Sequence, residues 1–339
     1  MRAGLPWAPT VLLMAIAGAA WAVSDAASPE VLLAAVGDIR PGGPIGRVIA
    51  EFGSAEPLRL VLRELQSDLL FGNLECAITE RGTPADKKWT FRAPASELAV
   101  LSEAGFDWLS LANNHVMDYG PDGLADTIAA LEKTGIAFAG AGPNAAAARR
   151  PVFVEKNGLR VGLLAFTSTF PEEHWARSAS PGVAYGDLKR LPSWIAEAKK
   201  NCDVLVVSFH GGTELSPEPN GVQKSFARLA ADSGADLVLG HHPHVIQAVE
   251  RRGNSLILYS LGNFLFVSPT PGTERSVIAR LRLRKGDIGA EFIPVDIAGG
   301  RLRPAAPEAA RAIRAALDSM GALSADPERL RFAAPPESK

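Results

Sequence analysis

The chain has 339 residues, 47% hydrophobic and 21% charged, with 32 glycines and 25 prolines; this suits one large α/β domain and excludes disorder, collagen or a coiled coil as a description of the whole. Lys and Arg number 35 against 37 Asp and Glu, a net charge of −2, so no general positive field holds nucleic acid or an anionic membrane, and any anionic ligand must be gripped locally. Two cysteines, Cys76 and Cys202, are too few for a disulfide scaffold or a thiolate zinc site and read as small buried hydrophobes.

Residues 1–22 read as a secretory signal. A single cation, Arg2, precedes the apolar run Val11–Ala17, and Ala20-Trp21-Ala22 is a small-x-small cleavage pattern. The alternative is an uncleaved anchor through residues 5–23, which nearly span a bilayer. Either way the working domain, residues 30–320, is expected outside the cytoplasm, periplasmic or extracellular. From Val31 onward short β-rich runs alternate with amphipathic helical windows, the pattern of a mixed α/β domain. Strands are predicted at 31–36, 68–72, 107–112, 136–139, 160–167, 203–209, 236–240 and 255–260. Pro121 opens a helix that Gly135 closes, and Val222, Phe226 and Leu229 mark the apolar face of another before Gly234. Two strands near 276–284 and 289–297 form a hairpin about Lys285-Gly286-Asp287, followed by a helix near 307–320. Arg280, Arg282 and Arg284 alternate and so share one side of their strand, which reads as a solvated edge, with a track for a polyanion as the other reading. Residues 321–339 read as a flexible tail.

The histidines are the informative residues. Four of six lie at or just past the carboxyl ends of predicted strands, in His210-Gly211-Gly212 and Gly240-His241-His242-Pro243-His244, and His115 follows Leu111-Ala112-Asn113-Asn114. Only His174 falls in an ordinary loop. Asp38, Glu75, Asn113 and Asn114 occupy matching positions after apolar runs. Strand ends are where an α/β scaffold presents ligands. Imidazole with carboxylate and amide oxygen, and no thiolate, suits divalent Mn, Fe or Zn. Asp38, Glu75, Asn114, His210, His242 and His244 are too many donors for one catalytic zinc with an open position. With Glu75 bridging, they suit two ions about 3.5 to 4 Å apart. The His-x-His spacing selects 242 and 244, leaving His241 as a neighbour.

The ordered set Gly37-Asp38, Asn73-Leu74-Glu75, Asn113-Asn114-His115 with Asp118 and Gly120, His210-Gly-Gly-Thr-Glu214, Gly240-His-His-Pro-His244-Val-Ile-Gln247 and Tyr259-Ser-Leu-Gly-Asn263-Phe264 resembles the CapA-type capsule synthesis proteins, also called poly-γ-glutamate synthesis proteins, a branch of the calcineurin-like metallophosphoesterases. The resemblance runs from about residue 31 to 268. It implies a metallo-dependent phosphatase-like fold, a two-sheet β sandwich flanked by helices, with a dinuclear metal centre. It implies Asp38 and His244 on the first metal, Glu75 bridging, and Asn114, His210 and His242 on the second. His115 would protonate a leaving group or stabilise the transition state, and Asp118 would orient it. The parent superfamily carries a His two residues after the first Asp. Here that position is Arg40, which cannot ligate and is expected to meet a phosphate or carboxylate of the substrate. Glu214 and Asn263 are the other substrate-contact candidates, with loop stabilisation as the alternative for each.

The function this implies is an exported, dinuclear metal-dependent hydrolase of phosphoester or related bonds in surface-polymer assembly. The competing reading is a non-catalytic component that binds the polyanion for a capsule synthase or export complex in the membrane. The expected partners are thus an anionic surface polymer or phosphoester substrate and that membrane complex, with no nucleic acid.

Overall fold

A computed structural model describes Met1 and residues 28–333. Apart from Met1, the expected signal segment 1–22 lies outside the described residues, and no helix among the described residues is long and apolar enough to cross a membrane. Fourteen strands build two stacked sheets: β1 (Val31–Ile39), β2 (Leu69–Leu74), β3 (Trp108–Ser110), β4 (Ala137–Ala139), β5 (Val152–Lys156), β6 (Leu159–Thr167), β7 (Val204–His210), β8 (Leu237–His241), β9 (Val249–Arg252), β10 (Ser255–Leu258), β11 (Arg275–Arg284), β12 (Asp287–Ala298), β13 (Arg301–Pro304) and β14 (Leu330–Phe332). One sheet runs β13-β12-β11-β1-β2-β3-β4 with β14 beside β12, and the other runs β9-β10-β8-β7-β6-β5. Each has a parallel centre, β1 to β4 in the first and β10-β8-β7-β6 in the second, bordered by antiparallel strands. Parallel strands buried on both faces need near-continuous apolar runs, which is what VLLAAV, LLF and VLVVSF supply.

Three apolar layers hold the sandwich. Leu33, Leu69, Phe71 and Trp108 of the first sheet meet Leu163, Val206, Leu239 and Leu258 of the second in the layer between them. Outside the first sheet, Leu124 and Leu131 of α1 (Gly120–Thr134) pack on Leu109 and Leu111. Outside the second, Ile195 of α2 (Leu191–Lys199) and Phe226 of α3 (Gly221–Asp232) cover Phe166, Val207 and Phe209. Each fully buried Leu or Phe contributes about 2 to 3 kcal/mol, so these layers fix the strand ends rigidly in space.

The expected α/β architecture, the eight predicted strands, the hairpin and the helix closed by Gly135, whose φ is 77°, all correspond to observed elements. Four expectations change. Val222 is 50% exposed because α3 turns Gln223 inward instead. There the Gln223 amide completes a capping box with Asn220 and donates to Gln247 Oε1 at 2.7 Å. Arg280, Arg282 and Arg284 share one side, but β11 lies between β1 and β12 and is no edge strand. Of the stretch 321–339, expected to be flexible, residues 321–333 carry a short helix (Ala322–Ala325) and β14, and 334–339 lie outside the described residues. Leu323 and Leu330 enter the inter-sheet core there. Its apolar residues are too few to show periodicity, but β12 offers them an unpaired backbone. Finally, β5, β9, β13 and β14 were not foreseen, because short border strands such as Val249-Glu250-Arg251-Arg252 carry too much charge for an apolar run.

Glycine is required where strand ends converge. A Cβ at Gly37 would stand 1.9 Å from the Gly262 carbonyl oxygen, and one at Gly240 would stand 2.0 Å from that of Tyr259. The segment after β10 thus lies against the ends of β1 and β8 together. Neither backbone can yield without moving the residues that follow, Asp38 and His241. Gly240→Ala should therefore cost at least about 2 kcal/mol, visible as a lowered urea midpoint; a midpoint equal to wild type would contradict this close approach.

Candidate metal centre

Six of the strand-end residues converge. Between Ala35 and Asp38 the β1–β2 register slips, a bulge that re-aims the chain just before Asp38. The Asp38 amide then donates to the Gly262 carbonyl at 3.0 Å and its own carbonyl accepts from Phe264 N at 2.8 Å. With its backbone clamped on both sides, the fully buried Asp38 carboxylate accepts from Asn73 Nδ2 at 2.8 Å and His242 N at 3.3 Å. His244 Nδ1 lies 3.2 Å from Asp38 Oδ2 and His241 Nδ1 3.4 Å from Oδ1. Burial opposes the charge, but the contacts with His241 and His244 prevail and hold Asp38 well below the usual carboxylate range.

Glu75 follows β2, and its amide is held by the Ile39 carbonyl at 2.8 Å. It is fully buried, and neither carboxylate oxygen has a hydrogen-bond partner. It belongs to two triads whose donor atoms all lie within 4.8 Å of one another, one with Asp38 and His210, the other with His242 and His244. Burial and the neighbouring Asp38 charge push Glu75 well above the ordinary carboxylate range. Two unpartnered oxygens in a buried site are costly unless a cation meets them, so this donor set fits divalent metal. The triads divide the ligands differently from the resemblance, which sets Asp38 with His244 and His210 with His242.

His210 and His244 are held by contacts to their ring nitrogens. His244 Nδ1 also meets Asn263 Oδ1 at 2.9 Å, leaving Nε2 facing Glu75 at 3.8 Å. His210 Nε2 lies 2.8 Å from Asn114 Oδ1 and 3.4 Å from Glu75 Oε1, with Asn73 Nδ2 at 3.2 Å from its Nδ1. His242 Nδ1 is buried without a partner. Both His242 (φ 97°) and His244 (φ 58°) adopt left-handed backbone, which costs of order 1 to 3 kcal/mol each and persists where surrounding structure enforces it. Burial, with the His244 charge beyond it, pushes His242 down to about 3. For His244 burial acts in the same sense, but Glu75 and Asp38 outweigh it and raise the ring to about 10.

Beside this cluster, His115 Nδ1 stands 2.7 Å from Asp118 Oδ2, and its ring stacks on Phe91 at 4.1 Å. Asp118 Oδ2 also accepts from Phe91 N at 2.6 Å, and Lys87 pairs with Asp118 while donating to the Asn114 carbonyl at 2.5 Å. The Asp118 contact assigns the Nδ1–H tautomer, so Nε2 is free to exchange a proton.

Residues 32–268 match the family described as "Bacterial capsule synthesis protein PGA_cap". The chain is 35% identical over 276 residues to the PGA biosynthesis protein CapA of Bacillus subtilis (strain 168), covering 80% of this chain and 73% of that one. It is 33% identical over 285 residues to the capsule biosynthesis protein CapA of Bacillus anthracis, covering 81% and 69%. This chain belongs to the PGA_cap capsule synthesis family. Among solved structures it is similar to the calcineurin-like phosphoesterase YfkN from Bacillus subtilis, with a TM-score of 0.44 and 16% identity over 82% of this chain and 89% of that chain.

The three residues expected to contact substrate sit in different surroundings. The half-buried Arg40 guanidinium lies over Phe91 at 4.4 Å and Phe266 at 4.6 Å, Nη2 donates to the Val267 carbonyl at 3.1 Å, and Nε has no partner. An aromatic pair satisfies the cation by its ring faces. Asn263 is fully buried, and it orients His244 and bonds the Thr273 carbonyl at 3.2 Å. Glu214 is exposed and lines a 320 Å³ cavity together with Asn114, Thr169, Phe170 and His242. Asn73, Lys87 and His174 escaped the sequence reading as site residues. Asn73 sat inside a quoted motif, but nothing distinguished it from a turn former, and Lys87 lies in an ordinary polar loop. His174 is buried near Lys87 and Asp118, which act on its charge.

Two outcomes follow. Asn73→Ala should lower metal affinity about 10- to 100-fold, measured by competition with a chelating dye. Burial pushes His115 down to about 4 from 6.5, so the unfolded chain protonates before the folded one. The stability tied to the neutral ring is intact above pH 6.5 and lost as the pH falls toward 4. In chelator-treated protein, wild type should lose up to roughly 3 kcal/mol more across that window than His115→Asn, read from urea midpoints.

Proposed function

We propose that this chain is a metal-dependent hydrolase of phosphoester or related bonds that uses two divalent ions, Mn, Fe or Zn, in the assembly of an anionic capsule polymer of the poly-γ-glutamate type. The observation that carries the reading is Glu75, whose buried, unpartnered carboxylate is common to both triads. Asp38, Glu75, Asn114, His210, His242 and His244 would hold the ions, whose chemistry when bound is Lewis-acid polarisation of a phosphoryl oxygen and charge stabilisation. The chain's own groups do the rest. Asn73 and Asn263 fix the rings of His210 and His244. The 320 Å³ cavity admits a substrate against Asn114 and His242, with Glu214 at its wall. His115, tied to Asp118 through Nδ1, exchanges a proton with the leaving oxygen at Nε2. The names of the two Bacillus relatives support a place in capsule synthesis, the signal-like sequence of residues 1–22 supports export, and a polymerising or exporting membrane complex is the partner this reading calls for.

Metal analysis of purified protein should find up to two divalent ions per chain. His115→Ala should retain them while losing about 100-fold or more in hydrolysis of bis-p-nitrophenyl phosphate. Failure to take up any divalent ion would overturn the reading.

The caging of Arg40 between Phe91 and Phe266, where the parent superfamily has an imidazole ligand, favours a second reading, a non-catalytic polyanion-binding component. Polymer binding that survives metal stripping, with no hydrolysis of model phosphodiesters, would select it.

A further inference from the structure

The three alternating arginines of β11 are not used by the metal centre, and a cavity of about 710 Å³ lies beside one of them. Alternation sends Val277, Ala279, Leu281 and Leu283 into the inter-sheet core, so Arg280 and Arg282 stand on the outer face of the first sheet. Their β1 partners are Ala34 and Leu32, four and six residues before Asp38, which places them roughly 13 to 20 Å back along the strand from the metal ligands. Arg280 joins two cavities. The larger holds Arg63, Arg311 and Arg314; the adjoining one, 330 Å³, holds Arg282 and Arg331.

Six arginines thus line these two neighbouring cavities, which share Arg280 and are treated together as one groove. The carboxylates along it are three: Glu64, Glu291 and Glu30. Glu30 is already engaged by Arg284 at 2.6 Å, and Glu291 sits in register between Arg280 and Arg331. Among the described residues none of the six makes an ion pair within 4.0 Å. Arg314 lies over the Phe332 ring at 5.4 Å. The floor of the larger cavity is apolar, built from Ile293, Val295 and Phe332. In a chain of net charge −2, this concentration of unpaired guanidinium groups is the local grip that the overall charge balance does not provide.

We propose that this groove binds an extended polycarboxylate chain at a second site, separate from the metal centre. Guanidinium forks recognise carboxylates in pairs, and an apolar floor between them suits a polymer whose carboxylates are spaced by methylene groups. A single-stranded nucleic acid would look instead for stacking platforms, and the aromatic ring in the groove, Phe332, is already covered by Arg314. The choice of polymer rests on the capsule reading above, whereas the groove itself does not depend on metal.

The test measures binding of fluorescein-labelled poly-γ-glutamate by anisotropy, with metal-loaded and chelator-treated full-length protein. Arg63, Arg311 and Arg331 are exposed, so replacing all three with Ser should leave the fold intact. A control carries Lys133→Ser, Lys156→Ser and Lys200→Ser, exposed positions outside the groove that remove the same charge. Expected are an affinity loss of about tenfold or more and a weaker salt dependence in the arginine variant alone, with chelation making no difference. Equal loss in the lysine control, unchanged affinity in the arginine variant, or tighter binding of a single-stranded oligonucleotide than of the polymer would each overturn the groove. Loss of binding on chelation would move the polymer to the metal centre and refute the second site without touching the hydrolase reading, which is tested by metal content and turnover.

Discussion

Two carboxylates on neighbouring parallel strands, Asp38 and Glu75, are both fully buried at the same end of the first sheet. Like charges in a low-dielectric setting repel strongly and are tolerated only where cationic partners compensate. The rest of the site is organised around that constraint. His241 and His244 close on Asp38, His210 and His244 on Glu75, and asparagines at 73, 113 and 263 form the next layer. Asn113 donates to Asn73 Oδ1 at 3.1 Å and to the Leu74 carbonyl at 2.8 Å, and its own oxygen accepts from the amides of His115 and Val116. The turn that carries His115 is therefore tied to the strand that carries Glu75. The apolar layers matter to chemistry because they leave these ends nowhere to relax.

Much of this was legible in the residues. Parallel strands announce themselves by uninterrupted Val, Leu and Phe, and a donor placed immediately after such a run can only lie at the strand's carboxyl end. That simple reasoning located Asp38, Glu75, Asn114, His210, His242 and His244, and the structure brings all six into one cluster. Asn73, Lys87 and His174 were beyond its reach, as were the partners that Arg40 and Asn263 meet. The fate of a side chain one or two residues past a strand depends on rotamers and on what loops pack over it, here Phe91 and Phe266 from segments far away in sequence. How the donors divide between the two triads is equally a matter of side-chain direction, which spacing along the chain does not encode. The unforeseen strands share a cause as well: a border strand needs only half a partner, so its residues carry little periodicity.

Charge is distributed with a purpose that the near-neutral total conceals. Acidic oxygen is concentrated at one end of the first sheet, while guanidinium is concentrated on its outer face toward the other end. Strand β1 belongs to both, with Leu32 and Ala34 alongside the arginines and Asp38 at the ligand cluster. Lys87 and Arg40 are cations at the acidic end; Lys87 is spent on Asp118 and Arg40 lies between Phe91 and Phe266, which leaves the cavity wall beside His242 to Glu214.

The crowding about Asp38 has an implication for anyone wishing to alter metal preference. Its two oxygens are shared among the Asn73 amide, the rings of His241 and His244, and the backbone nitrogen of His242, while its own backbone is stitched to Gly262 and Phe264. Selectivity cannot be tuned one ligand at a time, since exchanging any of these groups displaces the others through a common atom. Redesign, like natural divergence, would have to proceed by coordinated replacement of the whole neighbourhood.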